Sequence, residues 1–220
     1  MTNKRIILFA GHYGSGKTNI AVNFAVRLKE EGFPVLIADL DIVNPYFRTK
    51  DSEKELAEKG IELICSEFAN TNLDIPSLPK NMYRVVNDKK FRAVMDIGGD
   101  DAGAIALGRF APFISEENDY EMIFVANFFR PLTRSAEEAY EVMQEIEAAC
   151  SLKFTAIVNN SNLGSETTAE DIVTTFDETE KLSSLSSLPV LFTSCEKKLC
   201  EKIKNTGKVI FPLELQSKIF

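Results

Sequence analysis

Eight residues near the start of the chain, Gly11-x-x-x-x-Gly16-Lys17-Thr18, have the types and spacing of a phosphate-binding loop. In such a loop successive backbone N–H groups wrap a phosphate, a lysine reaches the terminal phosphates, and a hydroxyl is offered to Mg2+. Lys17 and Thr18 stand in those two places, and Gly11, His12, Tyr13, Gly14, Ser15, Gly16 and Asn19 complete the candidate contacts. Carboxylates recur further on. Asp39 and Asp41 sit two apart, so on a strand they point the same way. That pair could hold Mg2+ waters or aim an attacking water, since phosphoryl transfer rests on positioning and charge stabilisation. Read as a turn, Asp-x-Asp followed by Asn44-Pro45 is also ordinary. The run Phe91-Arg92-Ala93-Val94-Met95-Asp96 is an apolar strand closing on Asp, the pattern in which Asp96 serves a metal directly or through water. Gly98 and Gly99 permit a close backbone approach to a terminal phosphate. Asp100 and Asp101 either add to that site or cap the helix that Ala102 begins. Arg130 either approaches phosphate or is a solvated, structural arginine. Asn159 carries both a donor and an acceptor, which suits the N6/N7 edge of adenine. No Asn-Lys-x-Asp tetrad is present to read guanine, so ATP is expected over GTP.

These residues need elements to position them. Ile6 to Ala10 is a short apolar run, as a strand buried on both faces should be. After Thr18 the period changes: Ile20, Phe24 and Leu28 form the apolar stripe of a helix that Gly32 ends. The loop therefore lies between strand and helix, with the helix dipole aimed at the anion. Further strand-like runs are Val35 to Asp39, Ile61 to Cys65, Phe91 to Ile97, Met122 to Asn127, Phe154 to Asn159, Val190 to Thr193 and Lys208 to Phe211. Capping boxes at Ser52-x-x-Glu55, Ser135-x-x-Glu138 and Thr167-x-x-Glu170 open helices between them. Strands alternating with helices predict a three-layer α/β/α fold of the P-loop NTPase type, with a mostly parallel sheet of about eight strands. No linker or repeat divides residues 1–220, so one nucleotide-binding domain is expected. Ligands in such sheets bind beyond the carboxyl ends of the strands.

Composition agrees. The 220 residues are 45% hydrophobic, enough for a sizeable core. A net charge of −8 disfavours nucleic acid as a partner. It does not disfavour a nucleotide, because distant surface charge is screened beyond about 8 Å. No run approaches a membrane span, and the first strand begins too early for a signal peptide, so a cytoplasmic protein is expected. Cys65, Cys150, Cys195 and Cys200 form no Cys-x-x-Cys and are expected to be reduced thiols.

The strand-loop-helix, the Asp-x-Asp, Asp96-x-x-Gly99 and the Asn159 strand end together resemble the MinD/ParA/Mrp group. With the nitrogenase iron protein, CobQ/CobB-type enzymes and nickel-insertion ATPases, that group belongs to the signal-recognition-particle-like class of P-loop proteins. The resemblance runs from about residue 4 to about residue 195. It implies a Mg2+-dependent switch ATPase, often a nucleotide-dependent homodimer, acting on a protein partner. It also implies that Asp41 orients the hydrolytic water, Asp96 serves the metal and Asn159 contacts adenine. The segments 42–50 and 97–104 are then expected to move with nucleotide. The departures are specific. Where the MinD/ParA loop has Lys and Gly, this chain has His12 and Tyr13. Imidazole is not a permanent charge, so the lysine that acts across the family's dimer has no evident counterpart; His12 can instead simply lend its backbone to the loop. The C-terminal residues 211–220 are too short and weakly basic for a membrane-anchoring helix. Two rivals remain: a small-molecule kinase or ATP-dependent ligase, as in CobQ/CobB or dethiobiotin-synthetase relatives, and a non-hydrolysing adaptor. In the first, the acceptor would dock over Asp41, Asn44, Tyr46 and Asp100-Asp101. The polar stretch 70–80 is either a contact loop or an ordinary connection.

Overall fold

Every side chain of β1 (Ile6–Ala10) is apolar and buried. Such a strand is stable only where both faces are covered. A computed structural model describes residues 2–41, 49–65, 80–99 and 101–215, with the backbone alone at 50, 51, 101 and 102. From β1 the chain runs through α1 (Lys17–Glu30), β2 (Val35–Leu40), a 3-10 turn (Thr49–Ser52), α2 (Glu53–Glu58), β3 (Glu62–Ile64), α3 (Arg84–Asn87) and β4 (Arg92–Ile97). It continues through α4 (Asp101–Gly108), α5 (Ala111–Glu117), β5 (Tyr120–Ala126), α6 (Ala136–Cys150) and β6 (Ala156–Asn159). It closes with α7 (Ala169–Thr174), α8 (Phe176–Ser186), β7 (Val190–Glu196), α9 (Cys200–Ile203) and β8 (Ile210–Leu213). The strands form one eight-stranded sheet in the order β3-β2-β4-β1-β5-β6-β7-β8. All neighbouring pairs are parallel. After β4 the chain crosses to the other side of β1, so the strand order reverses there and a crevice opens above the end of β1.

Strand alternation divides the core. Ile7, Phe9, Ile37 and Val94 pack with Ile20, Phe24 and Leu28 of α1, the stripe expected from the sequence. Phe9 and Phe24 meet edge to face with centroids 5.3 Å apart. Truncating such a buried ring typically costs about 3–5 kcal/mol. Ile6, Leu8, Ala38, Met95 and Phe124 face the opposite way, onto Ala104, Leu107, Ile114, Met143 and Leu182 of α4, α5, α6 and α8. Asp39 and Asp96 continue the first alternation, so they fall on the α1 face.

Two helix starts differ from expectation. Ser52 makes no side-chain cap bond. The chain enters α2 through a 3-10 turn, with Ser52 at φ −96°, ψ 10° rather than in the extended conformation a capping serine adopts. The box expected at Thr167/Glu170 is built one residue later, by Thr168 and Asp171. Thr167 instead donates to the Gly164 carbonyl and accepts from Leu163 N–H, closing the preceding turn. Ser135 does cap α6 by accepting from Glu138 N–H, but the Glu138 carboxylate accepts from Arg134 N–H. All four cysteines are free thiols, and the Cys195 and Cys200 sulfurs lie 3.1 Å apart.

Candidate nucleotide site

The loop between β1 and α1 owes its shape to glycine at the left-handed positions Gly14 (φ +76°) and Gly16 (φ +86°). His12 supplies its carbonyl, which accepts from Ser15 N–H at 3.1 Å and from Lys17 Nζ at 3.1 Å. The His12 ring lies against its neighbour, Nδ1 3.0 Å from the Tyr13 carbonyl, and Tyr13 is 56% exposed. Lys17, Thr18 and Ser15 are buried, and Asn19 is half-buried at the start of α1.

Three neighbouring strand ends grip this loop. On the β4 side, a Cβ on Gly99 would stand 2.7 Å from both Lys17 Nζ and Tyr13 N. Only a glycine lets the chain pass this closely. On the β5 side, Arg130 Nε donates to the Gly14 carbonyl at 2.9 Å. On the β6 side, Asn160 Nδ2 donates to the Ser15 carbonyl at 2.6 Å, while its Oδ1 accepts from Ser194 Oγ of β7 at 2.6 Å. Nothing in the sequence separated Asn160 from Asn159. The only available signal was alternation: if Asn159 faces one way, its neighbour faces the other.

The structure turns Asn159 inward. Its side chain is fully buried, donating to Thr175 Oγ1 at 2.9 Å and accepting from Ser161 N–H at 3.0 Å. Both ends of that amide are thus committed to the protein. A cleft beside Gly16 and Asn19 is lined instead by Asn160, Asn162, Ser194 and Glu196. Another cleft, about 810 Å3, runs along the outer flank of α1 against β7 and β8 and includes none of residues 11–18, 39–41 or 96–99.

The carboxylates gather at the same edge. Asp39 and Asp96 are register partners on β2 and β4. Asp41, just past β2, donates its N–H to Asp39 Oδ1 at 2.9 Å, so the chain turns there instead of continuing the strand. Asp96 is fully buried and accepts from Thr49 Oγ1 at 3.0 Å. Burial pushes its carboxyl up to about 6; the Thr18 and Thr49 hydroxyls and the Lys17 charge oppose this, and the Asp41 charge adds to it. Among the described residues, two buried side-chain atoms have no hydrogen-bond partner, Ser15 Oγ and Asp96 Oδ1. Both are at this site. Asn44, Tyr46 and Asp100, and most of the segments 42–50 and 70–80, lie outside the described residues, as does the side chain of Asp101.

A family model described as the CobQ/CobB/MinD/ParA nucleotide binding domain matches residues 6–208. The chain belongs to this family. It is thus a nucleotide-binding domain, and the glycine loop, the lysine and the acidic strand ends all fall within the matched residues. No curated protein matches the chain significantly. Among solved structures, it is similar to the cell division protein FtsY of Thermotoga maritima, with TM-score 0.61 and 14% identity over 87% of this chain and 61% of that one. It is also similar to FtsY of Mycoplasma mycoides, with TM-score 0.59 and 16% identity over 88% of this chain and 61% of that one. The signal recognition particle receptor FtsY of Elizabethkingia anophelis, crystallised with GDP, gives 0.54 and 15% over 99% and 62%. At such identities the likeness establishes the fold, that of P-loop NTPases. The chain spans about three-fifths of the length of these receptors. Among the described residues no helix is long and apolar enough to cross a membrane.

Proposed function

We propose that residues 1–220 act as one Mg-ATP-binding, switch-type ATPase domain in the cytoplasm, slow by itself and coupled to a protein partner or a small-molecule substrate. The observation that carries this reading is the pair of buried, unpaired atoms at the loop, Ser15 Oγ and Asp96 Oδ1. A buried polar atom without a partner costs about 1–3 kcal/mol, and a phosphate with its hydrated cation offers what each lacks. The donor set suits a hard cation: the Thr18 hydroxyl and the Asp96 and Asp39 carboxylates are oxygen ligands, and phosphate supplies the rest. When bound, Mg2+ would neutralise charge on the outer phosphate oxygens. The loop N–H groups and Lys17 would hold the phosphates in a site that excludes bulk water. Asp41, buried and next to Asp96, would orient the attacking water.

The base would lie in the cleft beside Gly16 and Asn19. Asn159 then acts through the turn it braces, by way of Ser161, rather than by direct contact. ATP is favoured because the strand end reads Asn159-Asn160-Ser161-Asn162, not the guanine-reading tetrad.

Nucleotide-dependent thermal stabilisation tests this reading. ATP at 100 Kd should add about 2.7 kcal/mol to stability. Lys17→Ala should abolish that gain, and Asp41→Ala should keep it but lose phosphate release. Normal turnover in Asp41→Ala would remove that residue from the chemistry. Stronger stabilisation by GTP than by ATP would reverse the base assignment. Turnover that requires an added small-molecule acceptor, with phosphate appearing on it, would make the protein a kinase or ligase. Solution mass with and without nucleotide reads the homodimer.

A further inference from the structure

Arg130 is held in place more firmly than a surface arginine requires. It sits in the turn after β5, and that turn is braced throughout. Asn127, almost fully buried, accepts at its carbonyl from Arg130 N–H at 3.2 Å and from Thr133 Oγ1 at 2.8 Å. Its Oδ1 accepts from Phe129 N–H at 3.1 Å. Phe128 is buried, and its N–H donates to Ser161 Oγ of the neighbouring turn at 3.0 Å. The Arg130 backbone is thus fixed by the same turns that hold the phosphate loop.

The side chain then crosses to Gly14, where Nε donates to the carbonyl and a Cβ would lie 3.6 Å from Nε. That is ordinary van der Waals contact, so the arginine packs directly against the loop backbone. This one bond uses one of five guanidinium N–H groups. Among the described residues no carboxylate lies within ion-pair distance of Arg130. Within 11–18, Lys17 is the one permanent cation.

We propose that Arg130 is a second cation of the phosphate site, using its Nε to lock on to the loop and its two terminal NH2 groups to bind non-bridging oxygens of the nucleotide polyphosphate. The inference rests on the nucleotide-binding reading of the loop and adds a ligand contact from a different strand end. A planar guanidinium suits this task because its donors match phosphate oxygens two at a time. With one donor already fixed to Gly14, less side-chain freedom is lost when phosphate arrives.

Arg130→Gln separates the charge from the tether. The glutamine Nε2 lies the same number of bonds from Cα as the arginine Nε, so it can still donate to Gly14 while the charge and the fork are lost. Calorimetric titration with Mg-ATP, ADP, AMP and adenosine gives the readout. We expect Arg130→Gln to weaken ATP about ten- to a hundred-fold, as loss of a charge-assisted contact does. The loss should shrink with each phosphate removed, leaving adenosine unchanged. The salt dependence of ATP affinity should weaken with it. Arg134→Gln, an exposed position beyond the same turn, should bind as wild type. If Arg130→Gln binds ATP normally while Arg130→Ala does not, Arg130 only tethers the loop and the proposal fails. It also fails if every ligand, adenosine included, weakens equally. Melting without nucleotide shows whether each variant is folded; should Arg130→Gln melt early, Arg130→Lys, which keeps the charge but not the fork, must hold the ATP-to-adenosine ratio above that of Arg130→Ala. Wild type that binds no nucleotide at all would instead overturn the function proposed above.

Discussion

Asn160 should decide whether the loop is ready to receive a nucleotide. Its side chain is 2% exposed and both ends are used, at 2.6 Å to the Ser15 carbonyl and 2.6 Å from Ser194 Oγ. Asn160→Ala leaves Ser194 its second acceptor, the Asn159 carbonyl at 3.2 Å. It leaves the buried Ser15 carbonyl without the amide. One unsatisfied buried acceptor costs about 1–3 kcal/mol, and the small void adds roughly 1 more. The loss should be about 2–4 kcal/mol, or roughly 5–15 °C in Tm for a chain of this size.

Asn160→Asp has a different signature. It keeps the shape and the acceptor for Ser194 but sets a carboxylate oxygen 2.6 Å from the Ser15 carbonyl, where the amide nitrogen had donated. It also places a negative charge beside the phosphate loop. At an effective dielectric of about 20 and a separation of about 8 Å, each phosphate charge opposes it by about 2 kcal/mol. ATP affinity should therefore fall in the order wild type, Asn160→Ala, Asn160→Asp. Urea melts give the stability and calorimetry the affinity. Asn160→Ala and Ser194→Ala should be non-additive, because the two side chains touch. If Asn160→Ala melts within 0.5 kcal/mol of wild type and binds ATP equally well, the bridge from β6 and β7 to the loop is incidental and the reasoning fails.

Three other outcomes are expected. Gly99→Ala should cut ATP affinity more than ten-fold with a stability loss of about 1–3 kcal/mol, since its methyl would meet Lys17 Nζ and the Tyr13 backbone at 2.7 Å; wild-type titrations would refute the close approach. Gly16→Ala should cost more in stability, because it combines φ +86° with a methyl 2.3 Å from Asn160 Nδ2. The third is a pH effect at Asp96, whose carboxyl burial lifts from 3.8 to about 6. Between those values the folded nucleotide-free chain keeps a proton that the unfolded chain releases. Folding is thus helped at low pH, and up to about 3 kcal/mol is lost as pH climbs from about 4 past 6. Asp96→Asn removes this dependence, so urea melts should show its advantage over wild type growing from pH 4.5 to pH 7. A constant difference would count against the buried carboxyl.

The sheet was legible because its strands are short apolar runs interrupted by helical stripes; all eight expected strands form, with β7 running on past Thr193 to Glu196 and β8 shifted two residues later, to Ile210–Leu213. The loop was legible because its glycines, lysine and threonine are adjacent in sequence. What escaped the sequence depends on contacts between distant segments. Asn160, which bridges to the loop, was not singled out, and its neighbours on the loop and on β7 are 145 and 34 residues away. The contact of Arg130 with Gly14 spans 116 residues. The capping errors have a local cause. Thr167 and Thr168 are both competent caps, and only the preceding 3-10 turn, Gly164–Glu166, decides which is used.

The position of β1 explains why so many distant residues meet at one loop. Its neighbours are β4 and β5, so whatever follows those strands lies beside the loop that follows β1. β4 brings Asp96 and Gly99, β5 brings Arg130, and β6, one strand further out, reaches the loop through Asn160. The arrangement relies on register as well as order. Phe9 pairs with Asp96 on one side of β4, and Asp39 with Asp96 on the other, in two parallel ladders. A slip of one residue in β4 would turn Asp96 to the opposite face and set an apolar neighbour, Met95 or Ile97, under Lys17. That slip is opposed by the core itself, because it would also move Val94 out of the α1 layer and Met95 out of the α4–α6 layer. The apolar alternation that holds the sheet therefore also keeps the acidic strand ends on the side of the loop, and the candidate site inherits its geometry from the core.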